Sequence, residues 1–264
     1  MTVTDVNVVK SAIFERPDDA NKGTLGSLLC VCGSYGMAGA AVMSAKGALR
    51  TGIGLAKCAL PRSIYPIVAQ TILESVYYPL SENADGRISK VNVPFLVSES
   101  CKSSATLVGC GLGVCYDTLK IVFSLIENST TPLVLDADAL NCVAKQPEIL
   151  LRKKAPIIIT PHPGEMSRLT GLATPLVNAE RERVALDFAQ KYGVVTVLKG
   201  AGTVIASPNG KALVNPTGNS GMATGGSGDV LAGMTASILA QGASPFSSAA
   251  AAVYLHGLAG DIAA

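Results

Sequence analysis

An α/β fold, with a mostly parallel central sheet and helices on both faces, is predicted by two features of this 264-residue chain. Short β-branched runs alternate with longer Ala-rich segments from Ser27 onward, which is the spacing of βαβ units. Each run is also nearly all apolar, as strands covered on both faces are. A third feature, Asn209-Gly210 between two short apolar runs, adds a late antiparallel hairpin.

In chain order the expected strands are Ser27 to Cys32, Gly54 to Ala59, Ala105 to Val108, Leu133 to Leu135, Pro156 to Ile159 and Val194 to Leu198. The expected helices are Ala38 to Thr51, Asp117 to Glu127, Asn178 to Tyr192, Gly228 to Gln241 and Pro245 to Ile262. The first helix is rich in small residues (Ala40, Ala41, Ser44, Ala45, Ala48), and the fourth is apolar from Val230 to Leu239. The hairpin runs from Thr203 to Val214 around Ser207-Pro-Asn-Gly-Lys211 and is expected to form an antiparallel edge. No internal repeat, low-complexity tract or long linker divides the chain, so residues 1–264 read as a single catalytic domain. The last helix stops at Asp261-Ile-Ala-Ala264 without a capping Gly, and the natural protein is expected to continue a little further.

Composition excludes several classes. With 48% hydrophobic and 15% charged residues the chain has ample material for a core and is not disordered. A formal charge of +2 and 5% aromatics provide neither an electrostatic footprint nor a stacking platform for nucleic acid. Lys46, Arg50 and Lys57 interrupt the most apolar N-terminal stretch, so no run reaches the roughly 18 to 20 residues of a bilayer crossing. The first residues lack a basic segment followed by an apolar one, so no signal peptide is expected. The seven cysteines show no paired C-x-x-C spacing and read as small reduced core residues of a cytoplasmic protein.

The most informative stretch is Asn215-Pro-Thr-Gly-Asn-Ser-Gly-Met-Ala-Thr-Gly-Gly-Ser-Gly-Asp229, which runs directly into an apolar helix. Backbone N–H groups near Gly226, Ser227 and Gly228 would point outward at the helix start and bind an anion, phosphate above all. Asp229 would lie in the first turn, able to take a proton from a hydroxyl that attacks phosphorus; the plainer alternative is a helix cap. Lys199-Gly200-Ala201-Gly202-Thr203 follows a strand and suits the phosphates or base of a nucleotide, although a surface lysine in a turn is the commoner outcome. It is not a Walker A loop, since the order is reversed.

Thr160-Pro-His162-Pro-Gly-Glu165 stiffens the loop beyond another strand and aims His162 and Glu165 at the same crevice. His256 reads instead as a satisfied helix residue. Asp136 and Asp138 could hold Mg²⁺ through water or a substrate hydroxyl, with a helix N-cap at Asp138 as the alternative. Gly33 to Val42 fails as a dinucleotide fingerprint, because its spacing is G-x-x-G-x-x-G, and supplies a close-approach wall; Gly109-Cys-Gly-Leu-Gly113 is a second turn of that kind. All these loops fall at the C-terminal ends of expected strands, where open parallel sheets place ligands.

Taken together, Gly221-Met-Ala-Thr-Gly-Gly-Ser-Gly-Asp229, Leu135-Asp-Ala-Asp-Ala-Leu-Asn141, Thr160-Pro-His-Pro-Gly-Glu165 and Lys199-Gly-Ala-Gly-Thr203 resemble the ADP/ATP-dependent NAD(P)H-hydrate dehydratases of the ribokinase-like superfamily. The resemblance runs from about Lys22 to Ala264, with Cys110 and Ser220 standing where that family commonly has Pro. It implies a ribokinase-like three-layer sandwich and the dehydration of (S)-NADHX or (S)-NADPHX, hydrated forms of NADH and NADPH. A phosphoryl group would pass from ADP or ATP, with Mg²⁺, to the C6 hydroxyl, and phosphate would then be eliminated. By the same resemblance, Asp229 is the base and the amides of Gly226, Ser227 and Gly228 steady the phosphoryl group. Ala41, Gly113, His162, Glu165 and Asp229 contact the substrate, and Lys199, Gly200, Ala201, Gly202, Thr203 and Gly228 contact the nucleotide. Glu165 would also organise Mg²⁺ through water. A homotetramer is implied, with an NAD(P)HX epimerase on a separate chain as pathway partner. The alternative enzyme is a ribokinase-like kinase of a small vitamin or sugar alcohol. A nucleotide sensor without turnover is disfavoured, because phosphate binding alone would suffer from the charge of Asp229.

Overall fold

The computed structural model describes residues 2–13, 15 and 17–264. Its strands are β1 (Thr2–Val3), β2 (Ser27–Val31), β3 (Leu55–Pro61), β4 (Val76–Leu80), β5 (Ala105–Val108), β6 (Leu133–Leu135), β7 (Ile157–Ile159), β8 (Val195–Leu198), β9 (Val204–Ala206) and β10 (Ala212–Val214). They form one sheet in the order β1-β10-β9-β8-β7-β6-β5-β2-β3-β4. The seven strands from β8 to β4 are parallel, and β9 runs against both of its neighbours. The hairpin of β9 and β10 turns through Ser207 to Lys211 as expected, but it is not the edge. β1 pairs in parallel with β10 and takes that place.

Helices cover both faces, as the doubly apolar strands require. One face carries α2 (Ala38–Arg50), α3 (Tyr65–Thr71), α10 (Ser227–Ala240) and α11 (Pro245–Ala263), with α1 (Val6–Lys10) against the last of these. The other carries α4 (Val93–Cys101), α5 (Tyr116–Asn128), α6 (Asp138–Val143), α7 (Pro163–Thr170), α8 (Thr174–Ala179) and α9 (Arg181–Tyr192). The expected helix from Asn178 to Tyr192 is therefore two, with a break at Glu180. Five cysteines are buried, while Cys101 and Cys115 are partly exposed. Among the described residues no helix is long and apolar enough to cross a membrane.

Strand register positions the site. Val31 pairs with Val108, Val108 with Leu135, Leu135 with Ile159, and Ile159 with Thr196. The loops that leave these strands therefore stand side by side at one rim, so that Cys110, Asp136, Thr160 and Lys199 become neighbours although up to 89 positions separate them. The short strands allow little slack, because each has buried side chains throughout β5, β6, β7 and β8.

Helix α10 is brought down onto α2 by the small residues of both. A Cβ on Gly233 would lie 2.0 Å from the Ser44 carbonyl oxygen, and one on Gly47 would lie 2.7 Å from that of Val230. The two backbones thus touch where any side chain would force them apart. Replacing Gly233 by Ala raises helix propensity yet overpacks this contact, and we expect a net loss of about 1–3 kcal/mol. The melting temperature should fall by about 2–4 °C for each kcal/mol lost. Thermal unfolding followed by circular dichroism checks this; an unchanged or raised midpoint would contradict the packing argument.

Candidate active site

The Gly-rich stretch ends as α10 begins. Gly226 is the N-cap, with φ of +92°, and it makes no side-chain capping bond. A Cβ there would meet Met43 Sδ at 2.0 Å, so glycine is required on both conformational and packing grounds. Of the amides that follow, that of Ser227 donates to the Thr224 carbonyl at 3.4 Å, and Ser227 and Gly228 border a cavity of about 740 Å³ at the positive end of the helix. Its walls include the Lys199 to Thr203 loop, the segment from Asn215 to Ser220, and Ser227 and Gly228. Asp261 near the end of α11 anchors that segment, accepting from the Gly218 amide at 2.8 Å and from Asn219 Nδ2 at 3.0 Å.

Asp229 lies in the first turn of α10 and does not cap it. Its carboxylate, Asp136 and the Cys110 thiol have donor atoms all within 4.8 Å of one another. Burial pushes the Asp229 carboxyl up to about 6, and the neighbouring charge of Asp136 adds to this; the Cys110 thiol and the Lys199 ammonium oppose it. Asp136 has much firmer partners. Its Oδ1 accepts from Lys199 Nζ at 2.7 Å and from Thr160 Oγ1 at 2.8 Å, in a side chain only 2% exposed. Two neighbouring carboxylates are thereby given different chemistry.

Lys199 is the hub. Besides Asp136, its ammonium lies 3.9 Å from Glu165 Oε2, and it sits beside Gly228, where a Cβ would be 3.4 Å away. Burial alone lowers the Lys199 ammonium, but Asp136 and Glu165 outweigh it and raise the balance above the usual range. It is thus not a surface lysine in a turn.

His162 is the N-cap of α7, in a capping box with Glu165. Its Nδ1 accepts from the Gly164 amide at 3.0 Å and the Glu165 amide at 3.3 Å, which leaves the proton on Nε2. Burial, Lys199 and Arg168 lower the imidazole, favouring the neutral ring. Glu165 Oε2 in turn accepts from the His162 amide at 2.8 Å, and burial raises its carboxyl. Glu165 is buried and, like Asp229, is not among the residues that line the cavity. The capping-box bond and the Lys199 contact both fall on its Oε2, while Oε1 lies 3.6 Å from His162 Nε2.

Other expectations also change. Asp138 neither caps α6 nor stands ready for Mg²⁺: the N-cap is Ala137, and the Asp138 oxygens accept from the Gly113 amide at 2.8 Å and Asn141 Nδ2 at 3.2 Å. Asp136 is likewise committed to Lys199 and Thr160. Ala41 is 3% exposed and packs in the core beside Gly33, so its methyl backs the Gly33 turn and does not line the cavity. Gly113 lies under the Arg87 side chain. His256, which the sequence reads as a satisfied helix residue, lines the cavity beside Ser227. It stands five residues before the Asp261 anchor on the same helix, a relation that local pattern does not reveal.

Removing Lys199 while keeping Asp136 would leave a buried carboxylate without its cation. We expect Lys199→Met to cost about 3–5 kcal/mol in urea unfolding, and the further change Asp136→Asn to restore a large part of it. Strictly additive losses in that double-mutant cycle would show that the two groups are not coupled.

The sequence matches the NAD(P)H-hydrate dehydratase family over residues 28–264. It is 40% identical over 255 residues to the bifunctional NAD(P)H-hydrate repair enzyme Nnr of Moorella thermoacetica, covering 97% of this chain and 48% of that protein. The ADP-dependent (S)-NAD(P)H-hydrate dehydratase of Neisseria meningitidis is 36% identical over 94% of this chain and 80% of its own length. The chain thus spans about half the length of the bifunctional relatives it matches. In three dimensions it is similar to the ADP/ATP-dependent NAD(P)H-hydrate dehydratase of Bacillus subtilis co-crystallised with ATP and Mg²⁺. The TM-score is 0.84 and the identity 31%, over 99% of this chain and 89% of that one. With a parallel sheet, a glycine-lined helix start and this match over nearly the whole chain, the protein belongs to the NAD(P)H-hydrate dehydratase family, on a ribokinase-like fold.

Proposed function

We propose that the protein catalyses the nucleotide-dependent dehydration of (S)-NADHX and (S)-NADPHX to NADH and NADPH. The observation that carries this reading is Asp229: a carboxyl held at about 6, in the first turn of a helix whose start at Ser227 and Gly228 borders a cavity large enough for a nucleotide. Relatives named ADP-dependent (S)-NAD(P)H-hydrate dehydratase support the choice of substrate. The adenine nucleotide supplies a phosphoryl group, which turns a poor leaving group, hydroxide, into a good one.

In this reading Asp229 takes the proton of the substrate's C6 hydroxyl. The amides of Gly226, Ser227 and Gly228 stabilise negative charge on the transferring group, since their dipoles are fixed before reaction. Lys199 to Thr203 and Gly228 hold the nucleotide, and Lys199 also neutralises Asp136, so that Asp229 is the carboxylate left free to act. Gly113 and His162 border the substrate, with Ala41 behind them. No carboxylate of the cavity wall is assigned to Mg²⁺, which would accompany the nucleotide's phosphates. A cytoplasmic homotetramer acting beside an NAD(P)HX epimerase completes the proposal.

The direct test is to mix the protein with hydrated NADH, Mg²⁺ and either ADP or ATP, and to follow the absorbance of the restored dihydronicotinamide. Recovery of absorbance with phosphate release is expected; a stable phosphorylated product would identify a kinase instead. Asp229→Asn should abolish turnover and leave nucleotide binding nearly intact. In the wild type, the turnover rate should fall as pH drops through about 6, because protonated Asp229 is no base.

The same shift makes a stability prediction. The folded carboxyl is raised above its ordinary value of 3.8, so between that value and about 6 the native state binds more protons than the unfolded chain. Stability contributed by this group is therefore present at low pH and lost as pH rises through that window. Asp229→Asn should accordingly melt at a higher temperature than the wild type at pH 7; a lower midpoint would argue that the carboxylate is stabilised by its surroundings.

A further inference from the structure

We infer that His256 is a further phosphate ligand of the cavity, an imidazole on α11 that takes up a proton when a nucleotide's phosphates reach the amino end of α10. The inference rests on the nucleotide reading above and adds a residue and a proton to it. His256 forms part of the cavity wall together with Ser227 and Gly228, the first residues of α10. The Ser227 backbone beside the ring favours its protonated form, as an acceptor facing one ring nitrogen does. The ring thus stands on the same wall as the turn that carries the Gly228 amide. In the neutral ring the other nitrogen is a lone-pair acceptor, which repels a phosphate oxygen; protonated, it becomes a donor.

The charges around the ring decide which form prevails. Without an anion, burial and the Lys199 ammonium both act against protonation, and the Ser227 contact alone favours it. Lys199 is itself engaged by Asp136 at 2.7 Å and Glu165 at 3.9 Å. Other titratable groups around this cavity are His162, on its wall, Asp229, two residues after Ser227, and Asp261, five residues after His256 on α11, whose carboxylate is engaged by the Gly218 amide and Asn219. Thr217, from the segment packed against α11, is uncharged and donates to the Tyr254 carbonyl. The positive end of α10 has no side-chain cap to balance it. An arriving polyphosphate reverses the sign of this field, and the cheapest proton acceptor on the wall without an acidic partner is the His256 ring.

Calorimetric titration of the protein with ADP and Mg²⁺ at pH 7, in two buffers of different ionisation enthalpy, counts the protons taken up. Wild type should take up more than His256→Gln, by up to one proton per nucleotide, and the nucleotide's own ionisation cancels in the difference. Wild-type affinity should also gain, relative to the variant, up to about tenfold for each pH unit lowered through the titration window. The chain has only two histidines, so the His256 ring can also be followed by NMR in the unaltered protein. Its titration midpoint should rise on adding ADP. Equal proton uptake in both proteins, or a midpoint that ADP leaves unmoved, overturns the inference while the nucleotide reading stands. Absence of any ADP binding by the wild type overturns both.

Discussion

The bond between Lys199 Nζ and Asp136 Oδ1 determines how charge is shared across the whole rim of the sheet. Four acidic side chains, Asp136, Asp138, Glu165 and Asp229, gather around loops from four different strands. Asp138 is satisfied by the Gly113 amide and Asn141, and Glu165 by its capping box with His162. Asp136 has both a cation and a hydroxyl. That leaves Asp229, which lies beside the Cys110 thiol and whose carboxyl burial pushes up to about 6. A thiol donates weakly, and burial beside a second carboxylate outweighs it. The lysine thus pairs with one carboxylate and leaves the other, pushed up to about 6 by burial, able to exchange a proton.

Part of this was legible locally, because the loop from Lys199 and the His162 cap follow directly from strands whose apolar runs mark them. The turn at Gly226 to Gly228 stands twelve residues beyond β10 and is marked instead by its glycines ahead of an apolar helix. Which loops become neighbours was less legible, because it depends on strand order. Lys199 and Asp136 are 63 positions apart and meet only because β7 alone separates β8 from β6. The same reason hid the role of Asp138: its partner amide, Gly113, belongs to the loop after the adjacent strand β5. No pattern within either segment announces that bond.

The elements absent from the sequence reading share a different cause. Strand β4 contains Pro79 and lies at the sheet's edge, where a missing N–H is tolerated, so its composition argues against it while its position permits it. Strand β1 has two exposed residues and no apolar signal at all. The helices α6, α7 and α8 run for only six to eight residues, too short for a helical period to stand out from the loops around them. In each case tertiary pairing supplies what local propensity does not.

A site of this kind must be held by something other than its own contacts, because the ionised Asp229 is unfavourable where it lies. The required rigidity comes from α10. Its buried face of Leu231, Ala232, Ala236 and Ile238 belongs to the same core as the small residues of α2, and the backbone contact at Gly233 and Ser44 leaves the helix no room to shift. A larger residue at that crossing would lift α10 and move its amino end away from Lys199 and Cys110 together. The small-residue pattern of α2, which from sequence reads as a wall, is better understood as the surface that sets the height of α10 above the sheet. Packing six residues along α10 from its start and charge at the rim are therefore one design: the first fixes where the amides and Asp229 stand, and the second decides which of the gathered carboxylates can hold a proton there.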